Sequence, residues 1–468
     1  MQQNNIELEQ RNTEYYESIN PFTEEIIENY PYDTKEQLLT KLKTSHEAFK
    51  KWSSKSLEER SEPIVSFANV LKEKKEEFAK FVVKEMGKPY QQAVQEIELC
   101  AQICNYAVDK APEFLRDEEA EFENGKAFIT YQPQGVILSI QPWNFPFYQA
   151  IRYAIPNIIA GNTTLLSHAA SVWGSAKNIE SALIEAGLPK GVFQLIYPQS
   201  EDIEVLYHKR EVRGVTFTGS PSTGKKIAQE AGKNLKKTVL ELGGSDAYIV
   251  TENADIEKAV ASCVEGRIGN NGQTCTAAKR FIVVEKVYED FKKKFVQAMS
   301  EVQTGDPMEK TTKLGPLVRK DLLEKLNEQV EESLDMGAKC LTGGNIMKKK
   351  GFFFEPTVLE NLRPGMPAYD EELFGPVASL IKAKDLDDAI EIANSSRFGL
   401  GGGIFGDESE VVKVAKNHFD TGMVDINGYS SAKPNLPFGG VKDSGYGREH
   451  ARFGFHEFLN IKCVKIHK

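Results

Sequence analysis

From about residue 130 onward, short apolar runs alternate with amphipathic segments. GVILSI (135–140) is apolar and stops at Gln141-Pro142, the pattern of a buried strand followed by a turn. TTLLS (163–167), VFQLI (192–196), VTFT (215–218) and TVLEL (238–242) predict further strands, and segments 171–186 and 222–236 between them predict helices. Strand and helix in alternation argue for parallel βαβ units. A second such region follows Gly244. AYIV (247–250) reads as a strand, and the next segment has apolar residues at 256, 259, 260, 263 and 264, the stripe of a helix packed on a sheet. That helix is expected to end near 266–269, and RFIVVEKV (280–287) reads as the next strand. Upstream the pattern differs. Residues 33–107 read as helical, with long charged segments, and the first 17 or so as a polar tail.

Composition narrows the class. A chain of 468 residues holds two or three domains at roughly 100–200 residues each. Hydrophobic content of 40% and charged content of 27% suit a globular protein. A net charge of -10 argues against nucleic acid or an anionic membrane as the main partner. MQQNNIELEQRN has neither a basic nor an apolar signal region, and no apolar run is long enough for a membrane span. Six cysteines without a CxxC pair predict reduced thiols in a cytoplasmic protein. The seven histidines form no HExxH, so no metal site is expected.

One thiol stands apart. GNNGQTCTAAKR (269–280) has two glycines and two asparagines within six positions of Cys275, which predicts a tight, non-helical backbone. Cys275 therefore falls on an irregular segment between a helix and a strand, a common position for catalytic groups. Three other segments carry possible chemistry. QPWNFP (141–146) holds Asn144 between prolines after a strand, where its amide can meet an oxyanion. TVLELGGS (238–245) sets Glu241 in apolar surroundings that favour a raised pKa and general-base work. VTFTGSPSTG (215–224) runs from a strand through Gly219-Ser220 into a helix start suited to phosphate. Singly, each also fits a bland role: a packed Trp turn, a salt-bridged carboxylate, an ordinary βα turn.

Jointly, PWNFP, FTGS, ELGG, GQTC, EELFGP and PFGGVKDSGYGRE follow the order of the aldehyde dehydrogenase superfamily from about residue 20 to the end. ELGGSDAYIV, CTAAKRFIV and FGGVKDSGYGREHARFGFHEFLNI resemble its bacterial succinate-semialdehyde dehydrogenase branch most closely. The resemblance implies an α/β fold with a Rossmann-like cofactor domain (1–111 and 134–244) and an α/β catalytic domain (245–428). It also implies a small β oligomerisation flap with the C-terminal segment (112–133 and 429–468), the strand AFITYQPQ (127–134) included. A homodimer or homotetramer is expected.

The resemblance also assigns roles. Cys275 is the nucleophile that forms a thiohemiacetal and then a thioester; Asn144 and the Cys275 N–H hold the oxyanion; Glu241 activates the hydrolytic water. Covalent capture helps because the tetrahedral adduct donates hydride far better than a free aldehyde. NAD or NADP is the expected cofactor, with Ser220 and Gly219 at its pyrophosphate and Glu372 at the nicotinamide ribose beside Phe374. Trp143, Phe217 and Leu242 line its channel. Two departures bear on specificity. GNTTLLSHAA (161–170) puts Ser167 where the family has Lys and Ala170 where it has Glu, opposing changes that leave NAD versus NADP open. Arg152 matches one arginine that grips a substrate carboxylate, a structural ion pair being the alternative, but Gly269 stands where a second arginine would be. Succinate semialdehyde is thus the expected substrate, with another aliphatic or aromatic aldehyde as the nearest rival and a non-catalytic relative as a remoter one. Ala277 replaces the second Cys of some relatives, and Cys100, Cys104, Cys263, Cys340 and Cys463 read as core thiols.

Overall fold

The structure is a computed structural model that describes residues 14–123 and 125–468. Two mostly parallel sheets form its centre. The first has the order Gly445–Tyr446, Lys237–Glu241, Val212–Thr218, Val136–Gln141, Thr163–His168, Phe193–Ile196, and all neighbours are parallel except the short Gly445–Tyr446 edge. Its strands are aliphatic runs buried on both faces, as parallel sheets require. Helix Pro146–Ala160 covers one face and buries all fifteen of its residues.

Four helices, Lys35–Trp52, Leu57–Glu73, Lys75–Met86 and Tyr90–Phe114, resolve the helical reading of 33–107 and pack onto this sheet. Thr34 and Ser56 begin the first two with capping boxes, in which Gln37 and Glu59 return the bond. Trp52, buried at the end of the first helix, donates to the Ile158 carbonyl at 2.8 Å and locks the layer down.

The second sheet has the order Lys339–Thr342, Thr357–Glu360, Val377–Ala383, Ala278–Val284, Asp246–Val250, Gly402–Phe405, Asp425–Ile426. Helix Ile256–Ile268 packs on it through Ala259, Val260 and Cys263, with Ile256 and Val264 partly buried beside them. Asp255 caps that helix by accepting from the Lys258 N–H. The chain crosses from one sheet to the other at 242–245. The carboxyl ends of the first sheet's strands therefore face the amino ends of Asp246–Val250 and Ala278–Val284.

A third sheet pairs Leu459–His467 with Gly125–Pro133 and that strand with Glu118–Ala120. The segment between Gly428 and this last strand is threaded among the sheets. Val441–Lys442 pairs with Phe398–Gly399, and Gly445–Tyr446 edges the first sheet.

Four sequence expectations need correction. Residues 1–13 of the expected tail lie outside the described residues, but Tyr15–Ile19 is a strand paired with Ile26–Pro31. The strand at 280–287 stops at Val284, because Glu285 already opens helix Glu285–Ser300. The helix at 222–236 is Pro221–Lys233; Asn234 ends it, and Leu235 sits at φ 51, which an α-helix does not admit. Cys340 and Cys463 are exposed, unlike the buried Cys100, Cys104 and Cys263, since both lie on edge strands with a free face.

Candidate active site

The first sheet runs outward in both directions from Val136–Gln141, and its order reverses between that strand and Val212–Thr218. Ligands of open α/β sheets bind in the crevice beyond the carboxyl ends at such a point. The loops there are 142–145, which carries Trp143 and Asn144, and 219–220, which carries Gly219 and Ser220. Ser220 caps helix Pro221–Lys233 by accepting from the Thr223 N–H at 3.3 Å, so that helix turns its amino end toward the crevice. Any Cβ at Gly219 would collide with the Phe217 ring, and any at Gly224 with Leu242. Trp143 and Phe374 meet edge to face at 5.7 Å across the opening. Ser167 ends the neighbouring strand, buried, in register with Ile140 and Ile196. A bare glycine, a helix amino end and two aromatic walls around the switch point fit a dinucleotide.

The nucleophile loop is built by two left-handed residues. Asn270 and Asn271 have φ of 55° and 60°, a region that asparagine tolerates better than most residues. Each also anchors the loop. Asn271 donates from Nδ2 to the Gly87 and Pro316 carbonyls at 2.8 Å each and accepts from the Gly315 N–H at 2.7 Å. Asn270 donates from Nδ2 to the Asn144 carbonyl at 2.8 Å and to the Gln273 carbonyl at 3.0 Å. Asn144 in turn donates from Nδ2 to the same Gln273 carbonyl at 3.1 Å, while its Oδ1 accepts from Gln149. The amide of Asn144 is thus held directly against the segment that carries Cys275.

Beyond Cys275, a buried lysine closes the loop. Lys279 donates to the Thr274 carbonyl at 2.9 Å and to the Cys275 carbonyl at 2.7 Å, and it pairs with Glu372 Oε1 at 3.4 Å. Glu372 also accepts from the Gly244 N–H at 3.0 Å, and its carboxylate lies where a Gly243 Cβ would stand.

The electrostatics are those of a dry, charge-balanced pocket. Burial pushes the Cys275 thiol up to about 12, against the pull of Arg152 and Lys279. Burial and the neighbouring Glu449 likewise hold the Glu241 carboxyl well above its ordinary range. Neither Glu241 oxygen has a hydrogen-bond partner among the described residues. Burial raises Asp246, whose Oδ1 accepts from the Gly401 N–H, to about 7. Arg152 is fully buried, ion-paired to Glu449, and donates to Thr218 Oγ1 at 3.0 Å, with its guanidinium 5.1 Å from the Tyr148 ring and 4.8 Å from that of Phe438. Its Nη1 has no hydrogen-bond partner among the described residues. Gly269 has open space about it and no side chain to offer.

The structure thus gathers Asn144, Cys275 and Glu372 into one bonded network, with Glu241 and Arg152 adjoining it and Trp143 and Phe374 at its mouth. Ser167, Gly219 and Ser220 sit apart, along the end of the first sheet. Sequence reasoning missed Lys279, Asp246 and the anchoring roles of Asn270 and Asn271. A signal existed for the first two: a lysine and an aspartate beside apolar strands of a parallel sheet have no solvent-facing side to occupy. Among the described residues, no group of three His, Cys, Asp or Glu is placed to hold a metal ion.

This fold and site define a class: the chain belongs to the aldehyde dehydrogenase family, whose model matches residues 8–464. Within the family it is similar to the succinate semialdehyde dehydrogenase [NAD(P)+] Sad of Escherichia coli, at 41% identity over 96% of this chain and 97% of that one. It is 38% identical to the succinate-semialdehyde dehydrogenase [NADP(+)] of Deinococcus radiodurans, over 96% of this chain and 94% of that one. The crystal structure of succinic semialdehyde dehydrogenase from Streptococcus pyogenes in complex with NADP+ superposes with a TM-score of 0.95 at 39% identity, covering 97% of this chain and all of that one.

Proposed function

We propose that the protein oxidises succinate semialdehyde to succinate with NAD or NADP, through a covalent adduct on Cys275. The observation that carries this reading is the tie from Asn144 to the Cys275 loop through the Gln273 carbonyl at 3.1 Å. It sets a neutral amide donor and a thiol on the same small volume. The thiolate of Cys275 adds to the aldehyde carbon, and the Asn144 amide and the Cys275 N–H receive the negative charge that develops on oxygen. Bound NAD or NADP supplies the hydride acceptor, leaving a thioester on Cys275. Glu241, whose two oxygens have no partner among the described residues and whose pKa is raised by burial, takes a proton from the water that cleaves the thioester. Cys275 is restored and the acid leaves.

Substrate choice rests on Arg152. Glu449 occupies one side of its guanidinium, so a substrate carboxylate meets Nη1 alone instead of a bidentate fork. For the cofactor, Ala170 sets no carboxylate against a 2′-phosphate and Ser167 offers it no cation, so both dinucleotides are accepted. Residues 1–111 with 134–244 serve the cofactor, 245–428 the thiol chemistry, and 112–133 with 429–468 assembly into a homodimer or homotetramer. Six free thiols suit the reducing cytoplasm. No helix among the described residues is long and apolar enough to cross a membrane.

Initial rates with NAD and NADP over a short aldehyde panel test the reading. The expected result is a kcat/KM for succinate semialdehyde well above that for butanal, a gap that Arg152→Met closes by raising KM for the charged substrate alone. Cys275→Ala should abolish oxidation. Full activity in that variant, or equal use of butanal by the wild type, would overturn the mechanism or the substrate respectively.

A further inference from the structure

The Lys279 side chain is 1% exposed, and its ammonium donates two hydrogen bonds and makes one ion pair. An ammonium has three N–H bonds, and three acceptors surround this one: the Thr274 carbonyl at 2.9 Å, the Cys275 carbonyl at 2.7 Å and Glu372 Oε1 at 3.4 Å. Burial lowers the Lys279 pKa, and the neighbouring Glu372 and Asp246 oppose that by favouring its charged form. The Thr274 carbonyl has the largest consequence. It belongs to the same peptide unit as the Cys275 N–H, and no peptide bond among the described residues is cis. In a trans peptide the C=O and N–H point in opposite directions from one plane. A cation seated on the oxygen therefore fixes the direction of the N–H. It also draws electron density toward the oxygen, which makes the N–H a stronger donor, as in any polarised hydrogen-bond chain.

We propose that Lys279 is a positioning residue of the oxyanion hole, which holds and polarises the 274–275 peptide so that the Cys275 N–H meets the charge developing on the substrate oxygen. The inference rests on the functional reading above and adds a residue to it. Lys279 touches neither substrate nor cofactor; it acts through the peptide. The two oxyanion donors are then set differently. Asn144 is aligned by neutral amides and carbonyls, whereas the peptide N–H is aligned and strengthened by a buried charge. It also follows that charge, more than bulk, is what position 279 needs.

Two reactions of the same thiol separate this role from a general effect. Alkylation of Cys275 by iodoacetamide needs the thiolate but creates no oxyanion at the hole; aldehyde oxidation needs both. In Lys279→Met, kcat for succinate semialdehyde should fall about 10- to 100-fold, below the roughly 10²- to 10³-fold lost when a donor is removed outright, with KM nearly unchanged. Alkylation of Cys275, followed by mass spectrometry of its peptide, should fall at least tenfold less than kcat at the same pH. Lys279→Arg should recover part of the loss. Equal falls in both reactions, or no fall in either, would overturn the proposal. Should Lys279→Met fail to fold, Lys279→Gln is measured in its place against the same criterion. A wild type inactive on the whole aldehyde panel would strike the functional reading, whereas an active wild type beside an unchanged Lys279 variant strikes only this proposal.

Discussion

At the residue scale, the thiol is the least ordinary group in the molecule. Cys275 sits half-buried on a rigid loop, and burial holds its proton to about 12 when the crevice contains protein alone. The sign is clear: a raised thiol pKa leaves little thiolate at neutral pH, and the thiolate is the reactive form. In the cofactor-free enzyme, the rate of iodoacetamide alkylation at Cys275 should therefore climb about tenfold per pH unit from pH 7 through 10 without a plateau. A plateau near pH 8.5 would mean that Arg152 and Lys279 outweigh desolvation. The cysteine itself was legible in the sequence because glycines and asparagines crowd its approach. Lys279 was legible only in part: a lysine opening an apolar parallel strand must find a buried partner, but nothing in the sequence says that the partners are the Thr274 and Cys275 carbonyls. Arg152 was legible as a cation near the site. Its pairing with Glu449 was not, because 297 residues of chain separate the partners and only the fold brings them together.

At the element scale, the left-handed turn Gly269–Gly272 decides how well the thiol is placed. Its two asparagines divide the work, and substitution should divide the consequences. Asn271 faces away from the crevice and bonds the backbone at Gly87, Gly315 and Pro316. Asn271→Ala strands three buried backbone groups and keeps a strained left-handed residue. That should cost about 3 kcal/mol or more and lower the melting temperature by several degrees. Asn270 instead ties the Asn144 and Gln273 carbonyls, so Asn270→Ala should cost less stability but lower kcat about tenfold or more by loosening the oxyanion donor. Thermal melts and steady-state rates on the two variants check the split; equal effects on both measures would show that the turn acts as one unit. The strands around this turn were legible, because buried parallel strands are apolar throughout. Their ends were less so. The run RFIVVEKV continues apolar residues past Val284, yet the helix that begins at Glu285 buries Tyr288 and Phe291 with its own period.

At the scale of the whole molecule, the strand Leu459–His467 exposes every residue beyond Leu459. Among the described residues it pairs only with Gly125–Pro133 and leaves its other edge open. Side chains alternate along a strand, so Ile461 lies on one face and Val464 and Ile466 on the other, with exposures of 60%, 40% and 53%. A free edge with apolar groups on both faces invites pairing with another chain, and small ribbons are marginal without cover. A second subunit laid along this ribbon would bury those side chains and satisfy the edge. Charge placed there should act on assembly before it acts on chemistry, because the ribbon leads into the amino end of Val136–Gln141, whereas Asn144 and the Cys275 loop lie beyond its carboxyl end. The variant Ile461→Lys/Ile466→Lys should therefore shift the protein from an oligomer to a monomer in light scattering. It should lower the melting temperature by the cover it removes, and leave iodoacetamide reactivity at Cys275 within about twofold. An oligomer that survives both lysines would move the interface to another face. A thiol that changed markedly with assembly would show that the neighbouring subunit helps to shape the site, since the ribbon is joined to the helix Tyr90–Phe114 that packs against Pro146–Ala160 beside Arg152.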